Sequence, residues 1–473
     1  MTVDWLRLIV LGLAVTLIGA AGSDLPPLVD AAKNADRNAL RTLLQTGLQP
    51  GVDVNAAQGD GTTALHWASY RDDVESAGLL IRAGANVNAA NDLGVTPLWT
   101  ASQNGSAAMV RRLLEAGANP NAALVSGETL VMTAARSGQA DVVEQLLAKG
   151  ADVNARATRG QTALMWAVAQ QHSDVVRVLL AHGADVHARS DVWTQLWQTA
   201  PEQDVHPDYQ IQIRHGGDTP LLFAARAGDL TSAKLLVAAG AGVNDRAAYG
   251  VSATVLAAHS GNGELVEFLL EKSADPNAAA AGYTALHAAI LRRNKKAVAA
   301  LLAHGADPNA KLRTGTPVRR ASQDFFFYPA FIGATPFWLA ARFGQPDVMR
   351  LLAEHGADPL FVHYVDFWGP KTSTSAYRRE TSGATTALMA AVGMGRGSGF
   401  PAPPPGEREA RALEAVKLAA ELGVNVNAAD ADGRTALETA TALGYKSVAE
   451  FLVKRGAKLD RPARPLRKEA VDN

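Results

Sequence analysis

The sequence predicts an all-α solenoid of about eleven stacked helix–turn–helix repeats, with loop insertions projecting from the hairpin edge. Three observations carry that reading. One short pattern recurs along most of the chain with a period of about 33 residues, the signature of an array rather than of one compact globule. Within each copy the apolar residues fall at i, i+3 and i+4, the helical period, and not in the alternation of strands. Most copies also close on a glycine at the place where a helix must stop.

The stretch from Gly160 to Ala188 shows the unit whole. Thr162, Ala163 and Leu164 open a first helix, and Ala167 and Ala169 let a neighbour approach closely. Ser173 and Asp174 give a second helix a polar start, where a side-chain oxygen accepts orphaned backbone N–H groups. Val175, Val176, Val178, Leu179 and Leu180 form its apolar stripe, and Gly183 ends it. One such unit cannot bury its own stripe, so it needs copies on both sides. Comparable units open at Gly61, Gly94, Gly127, Gly217, Gly250, Gly282, Gly333, Gly383 and Gly433, after a degenerate first copy from about Pro26.

The repeat openings carry a specific resemblance. Gly282-Tyr283-Thr284-Ala285-Leu286-His287-Ala288-Ala289, Gly61 to Ala68 and Gly217 to Ala225 follow one Gly-x-Thr-Pro-Leu-His-x-Ala-Ala pattern. The closings Leu113 to Ala122, Leu146 to Ala155 and Leu301 to Ala310 follow Leu-Leu-x-x-Gly-Ala-Asp-x-Asn-Ala. The chain resembles ankyrin repeats over most of its length. Proline at Pro97, Pro220 and Pro336 suits a first helical turn, where its missing N–H costs nothing. Asn88, Asn121, Asn154 and Asn244 fit the tight turn into the next unit. The histidine of the pattern is replaced by Trp99, Met132, Met165, Leu222, Trp338 or Met389, which trades an expected hydrogen bond between turns for apolar packing.

The boundaries read as a signal peptide over 1–22, repeats 1–5 over 24–189, repeats 6–8 over 217–310, repeat 9 over 333–360 and repeats 10–11 over 383–460, with a polar tail over 461–473. At the start, Arg7 precedes an apolar run from Leu8 to Ile18 and then small residues, the order of a secretory leader. The alternatives are a retained membrane anchor or a buried helix; the run is shorter than the roughly 20 residues a spanning helix needs. Aromatic insertions fall at 190–216, 311–332 and 361–382, on the same hairpin edge. They hold roughly half of the chain's aromatic residues in about a sixth of its length, against the composition of disordered segments. A further loop at 393–406, rich in glycine and proline, divides one repeat between its helices.

Composition excludes several classes. There is no cysteine, hence no disulfide, thiolate metal site or cysteine nucleophile. A formal net charge of -1 gives no bulk attraction to nucleic acid or to anionic membrane. No catalytic, phosphate-binding or metal motif is present, so no cofactor is expected. Asp204, His206, Asp208 and His215 hold suitable metal-ligand atoms, although polar loop residues are the simpler reading.

The candidate site comes from one repeat position compared across the array. The resemblance implies that the first-helix ends and the hairpin edge line a concave binding face. Those ends carry Tyr70, Arg71, Arg136, Arg226, His259, Arg292, Arg342 and Phe343, a discontinuous basic row or else a solvated helix face. Trp193, Trp197, Phe326, Phe327 and Trp368 of the insertions would flank it. Arginine and aromatic residues are enriched at binding hot spots. The expected function is therefore an exported, non-catalytic scaffold for protein–protein interaction, monomeric, periplasmic or secreted, and similar to secreted bacterial ankyrin-repeat proteins. Its partner would be a protein, acidic where the arginines meet it. A carbohydrate or small-ligand binder using the aromatic insertions is the alternative. An enzyme site in the insertions and export into a host as an effector are weaker ones.

Overall fold

The computed structural model describes residues 25–45, 52–198, 210–315, 327–364, 367–370, 377–380, 383–395 and 404–459. They fall into two compact units, Met1–Leu130 with Gln145–Ala151 and Val131–Glu144 with Asp152–Asn473. The described residues form eleven helix pairs, an all-α repeat array. The first unit holds α1 (Pro27–Lys33) and α2 (Arg37–Gln45), α3 (Ala64–Tyr70) and α4 (Val74–Arg82), and α5 (Pro97–Asn104) and α6 (Ala107–Glu115). The pair α7 (Leu130–Arg136) and α8 (Ala140–Ala148) gives residues to both units.

The second unit continues with α9 (Ala163–Ala169) and α10 (Ser173–Ala181), α11 (Pro220–Ala227) and α12 (Leu230–Ala238), and α13 (Ala253–His259) and α14 (Gly263–Glu271). Then come α15 (Ala285–Leu291) and α16 (Lys295–Ala303), α17 (Pro336–Arg342) and α18 (Pro346–Glu354), α19 (Ala387–Ala391) and α20 (Arg408–Glu421), and α21 (Ala436–Ala442) and α22 (Lys446–Lys454). First helices pack on first helices from α9 to α19, and second helices on second helices from α10 to α22. Within the first unit the same two rows run from α1 to α5 and from α2 to α6.

The helices start and stop for local reasons. Thr96, Thr162, Ser252, Thr284, Thr335, Thr386 and Thr435 each cap a first helix by accepting the backbone N–H three residues on. Asp73, Ser106, Asp229, Asn262 and Asn294 do the same for second helices. The start of α10 differs from expectation. Its N-cap is His172, without a side-chain cap bond. The imidazole is occupied elsewhere, its Nε2 3.1 Å from the Arg136 carbonyl oxygen of the preceding repeat. Gly183 follows α10 at φ +83°, a conformation that costs an L side chain strain.

The asparagines do more than turn the chain. Asn277 Nδ2 donates to the Gly305 carbonyl at 2.9 Å, and Asn277 Oδ1 accepts from Asp307 N–H at 2.7 Å. Asn55, Asn88, Asn154, Asn244, Asn309 and Asn427 repeat this double bond to the glycine or serine that ends the next repeat's second helix and to the residue two beyond it. The result is a polar ladder along the turns. His187 and Leu360 stand where an asparagine would be, each just before an insertion.

Among the described residues strands occur in the first and third insertions and, as β6, at the opening of the repeat that follows the third. β1 (Trp193–Gln198) pairs antiparallel with β2 (Gln210–His215), Trp193 opposite His215. β3 (Val362–Tyr364) pairs with β6 (Ala384–Thr386), and β4 (Phe367–Pro370) pairs with β5 (Tyr377–Glu380) between them. The first and third expected loops thus hold strand pairs. The Gln-Ile-Gln-Ile run of β2 has the two-residue period of strands.

Candidate partner-binding surface

In the first unit Tyr70 ends α3 and is 52% exposed. Its ring stands edge-on to Trp67 with centroids 5.8 Å apart, and the Lys33 ammonium lies 5.4 Å from the Trp67 ring. Asn104 Nδ2 donates to the Tyr70 carbonyl at 2.9 Å and fixes the helix end. Arg71 follows as the exposed C-cap residue. Two aromatic rings and two cations therefore share one patch; Lys33 ends α1 as Tyr70 ends α3, a match hidden by the degenerate first repeat, and Trp67 lies one turn inside α3.

In the second unit the arginines of the expected row differ in their surroundings. The half-buried Arg136 guanidinium lies 5.6 Å from the Trp166 ring. Arg226 is paired with Asp218 at 2.9 Å and stacks near Phe223 at 5.7 Å, so its charge is already answered by a buried carboxylate. His259 ends α13 and Arg292 follows α15, both half-buried. Arg342 is mostly buried, and that desolvation holds its guanidinium below the ordinary arginine range. Along this part of the discontinuous row Arg226 is exposed but paired, Arg136, His259 and Arg292 are half-buried and Arg342 is mostly buried, so its cations are displayed unevenly.

The first insertion is the exposed one. Trp193 stacks on His215, with centroids 5.5 Å apart and planes 24° apart, and the Arg159 guanidinium lies 4.7 Å above the ring. Arg159 reaches it from the preceding turn, at φ +64°. Asp191 N–H donates to the Arg159 carbonyl at 2.8 Å, and the Asp191 carboxylate meets Arg156 at 3.1 Å, which roots the hairpin. Gly216 closes the base, where a Cβ would collide with the Asp191 carbonyl oxygen. Val192 is 46%, Trp193 36% and Leu196 57% exposed. Trp197 lies on β1 opposite Ile211, and Trp368 on β4 opposite Arg379. Phe326 lies outside the described residues, as do Asp204, His206 and Asp208.

The described end of the second insertion, from Phe327, turns inward. Phe327, Phe331 and Phe343 are fully buried. Phe327 meets Tyr283 at 6.0 Å and His287 at 6.2 Å, while Phe331 meets Tyr328, Trp338 and Phe343 at 5.9, 6.0 and 5.8 Å. The expectation that Phe327 and Phe343 contact a partner is therefore corrected. The alanine-rich first helices leave room beside them, and burying a phenylalanine ring there is worth more than displaying it. Tyr283 and Tyr249 hydrogen-bond each other beside this cluster. Burial pushes the Tyr283 hydroxyl well above the ordinary tyrosine range and that of Tyr249 upward as well.

Trp338 corrects another expectation. Its Nε1 donates to the Thr385 carbonyl at 3.2 Å, the residue before the cap of the next first helix. In the first unit His66 Nε2 meets the Val95 carbonyl at 2.9 Å, and Val95 likewise precedes the cap Thr96. An indole N–H thus replaces the imidazole and keeps the bond between turns.

Comparison with known proteins accords with this geometry. The family model described as ankyrin repeats (3 copies) matches residues 28–124, 120–190, 203–280 and 221–312, and that of the single ankyrin repeat matches residues 332–364. A search of curated proteins returned no match.

Proposed function

The chain belongs to the ankyrin-repeat family, whose repeats generally mediate protein–protein interaction, and on that premise we propose that it is an exported, non-catalytic scaffold that captures a protein partner. The observation that carries the reading is the first insertion. Its hairpin holds Val192, Trp193 and Leu196 toward solvent, next to the Arg159 guanidinium, and none of these side chains fills the repeat core. An aromatic ring, aliphatic neighbours and an arginine are the residue types that form binding hot spots. Within the second unit Arg136, Arg226, His259 and Arg292 supply secondary contacts, with an acidic surface the best match for Arg159, while Tyr70 and Arg71 of the first unit form a contact patch of their own.

The test is affinity capture from the native envelope fraction with the full chain and with a Trp193→Ala/Leu196→Ala variant, followed by mass spectrometry. A partner retained by the first and lost from the second is the expected result. Identical capture profiles would remove the hairpin from the reading. Export is checked by sequencing the N-terminus of the native protein, where cleavage near Gly22 is expected. An intact Met1 in a cytosolic fraction would overturn it.

A further inference from the structure

Two buried histidines hold the second and third insertions against the first helices, and the partner surface uses neither. His287, on α15, accepts through Nδ1 from the Thr284 backbone N–H at 3.2 Å and contacts the Thr284 hydroxyl at 2.8 Å. Its ring stands edge-on to Phe327. His363, on β3, lies over Trp338 with centroids 4.5 Å apart, and its Nε2 donates to the Ile332 carbonyl at 3.1 Å. Both residues are fully buried.

Each ring has only one nitrogen left to take a proton, and each proton breaks something. On His287 a proton at Nδ1 abolishes the acceptor that Thr284 uses to close the cap of α15. On His363 a proton at Nδ1 enters a place with no hydrogen-bond partner; Thr385 Oγ1, across the strand pair, has none either. The charged groups around them do little to oppose this. Asp307 and the backbone of Ala310 and Ala334 favour the charged form of His287, but burial outweighs them, and Tyr283 beside it is neutral. Around His363 stand Trp338 on α17, Thr385 and Thr386 on β6, and the backbone of Phe331 and Ile332. No carboxylate among these rewards protonation.

We propose that acidification is a release signal: protonation of His287 and His363 frees the Phe327–Ile332 segment and the β3–β6 pair from α15 and α17, and bares Tyr283, Trp338 and Phe343. Burial lowers both imidazoles from 6.5 to about 4. The closed form therefore excludes the proton that the open form takes up. Closure is at full strength above the open-state value of about 6.5 and is lost as pH falls from there through 4.

The experiment is hydrogen exchange of the full chain at pH 7 and pH 5, corrected for intrinsic exchange, in peptides spanning residues 327–334 and 384–394. Opening of these peptides is expected to increase about 20-fold for each histidine, or about 500-fold where both act together. Residues 220–238, which hold no histidine, should change little. A His287→Met/His363→Gln variant should lose the response, since methionine already fills the first position as Met132, Met165 and Met389. Protection at pH 5 within about threefold of its pH 7 value would overturn the proposal, and so would a double variant that responds as the native chain does. Should the variant not fold, titration of the native histidine rings by NMR decides: two rings titrating near pH 4 support release, and none doing so overturns it.

Discussion

Phe331→Ala separates the two kinds of rim aromatic most sharply. Phe331 is fully buried and makes ring contacts with Tyr328, Trp338 and Phe343. Truncating a buried phenylalanine to alanine costs about 3–5 kcal/mol, and aromatic pairs add about 0.5–1.5 kcal/mol each beyond their buried area. Three pairs are lost here, so the upper part of that range is expected. Trp193→Ala is the comparison. Its ring is partly solvated and loses mainly the Arg159 and His215 contacts, so a cost of about 1 kcal/mol or less is expected. A single melting temperature is a poor readout, because repeats unfold in neighbouring groups and not all at once. Peptide-resolved hydrogen exchange is better: Phe331→Ala should lower protection in α15, α17 and α18 and leave α11 unaltered. A loss below about 1 kcal/mol in those helices, or a larger effect from Trp193→Ala, would refute the assignment of the second insertion to the interior.

The remaining predictions concern the repeats themselves. Leu179→Ala should destabilise by about 2–5 kcal/mol in denaturant unfolding, because the side chain is fully buried in α10. Asn277→Ala should cost about 1–2 kcal/mol by removing both ladder bonds, whereas Leu360→Asn should raise thermal stability by up to about 1 kcal/mol by placing an amide near Gly423. Arg342→Ala should lower stability while Arg71→Ala should not, since the first guanidinium is mostly buried and the second exposed; equal melting curves would contradict the structure.

Sequence pattern reaches what is decided within about four residues. The Thr–Ala–Leu openings, the apolar stripe of α10 and the glycine after it are settled by caps, period and backbone sterics, and each stands where the pattern puts it. The loop at 393–406 likewise ends where its glycines and prolines end, and the helix Arg408–Glu421 follows it. What the pattern misses is decided between repeats. Asn277 carries the same turn signal whether its amide merely tightens the turn or reaches a carbonyl 28 residues away. The recurrence of asparagine itself, where any turn former would serve locally, was the available clue. Trp338 reads as packing because an indole is mostly apolar, yet its one N–H finds the carbonyl that the imidazole finds elsewhere.

The insertions show the limit most clearly, because their composition is nearly the same and their fates differ. Aromatic richness signals order in all three, but not direction. In the first, six residues of β1 pair with six of β2, a hairpin that is long enough to satisfy its own backbone and so can stand away from the helices, with Trp193 and Leu196 at its surface. In the second, Phe327 and Phe331 flank a short turn with no strand among the described residues, and a segment that cannot pair its own backbone into a ladder gains most by lying against the helices. Local hydrogen-bonding capacity, more than hydrophobicity, therefore sorts rim aromatics into those that bind outward and those that fill the core.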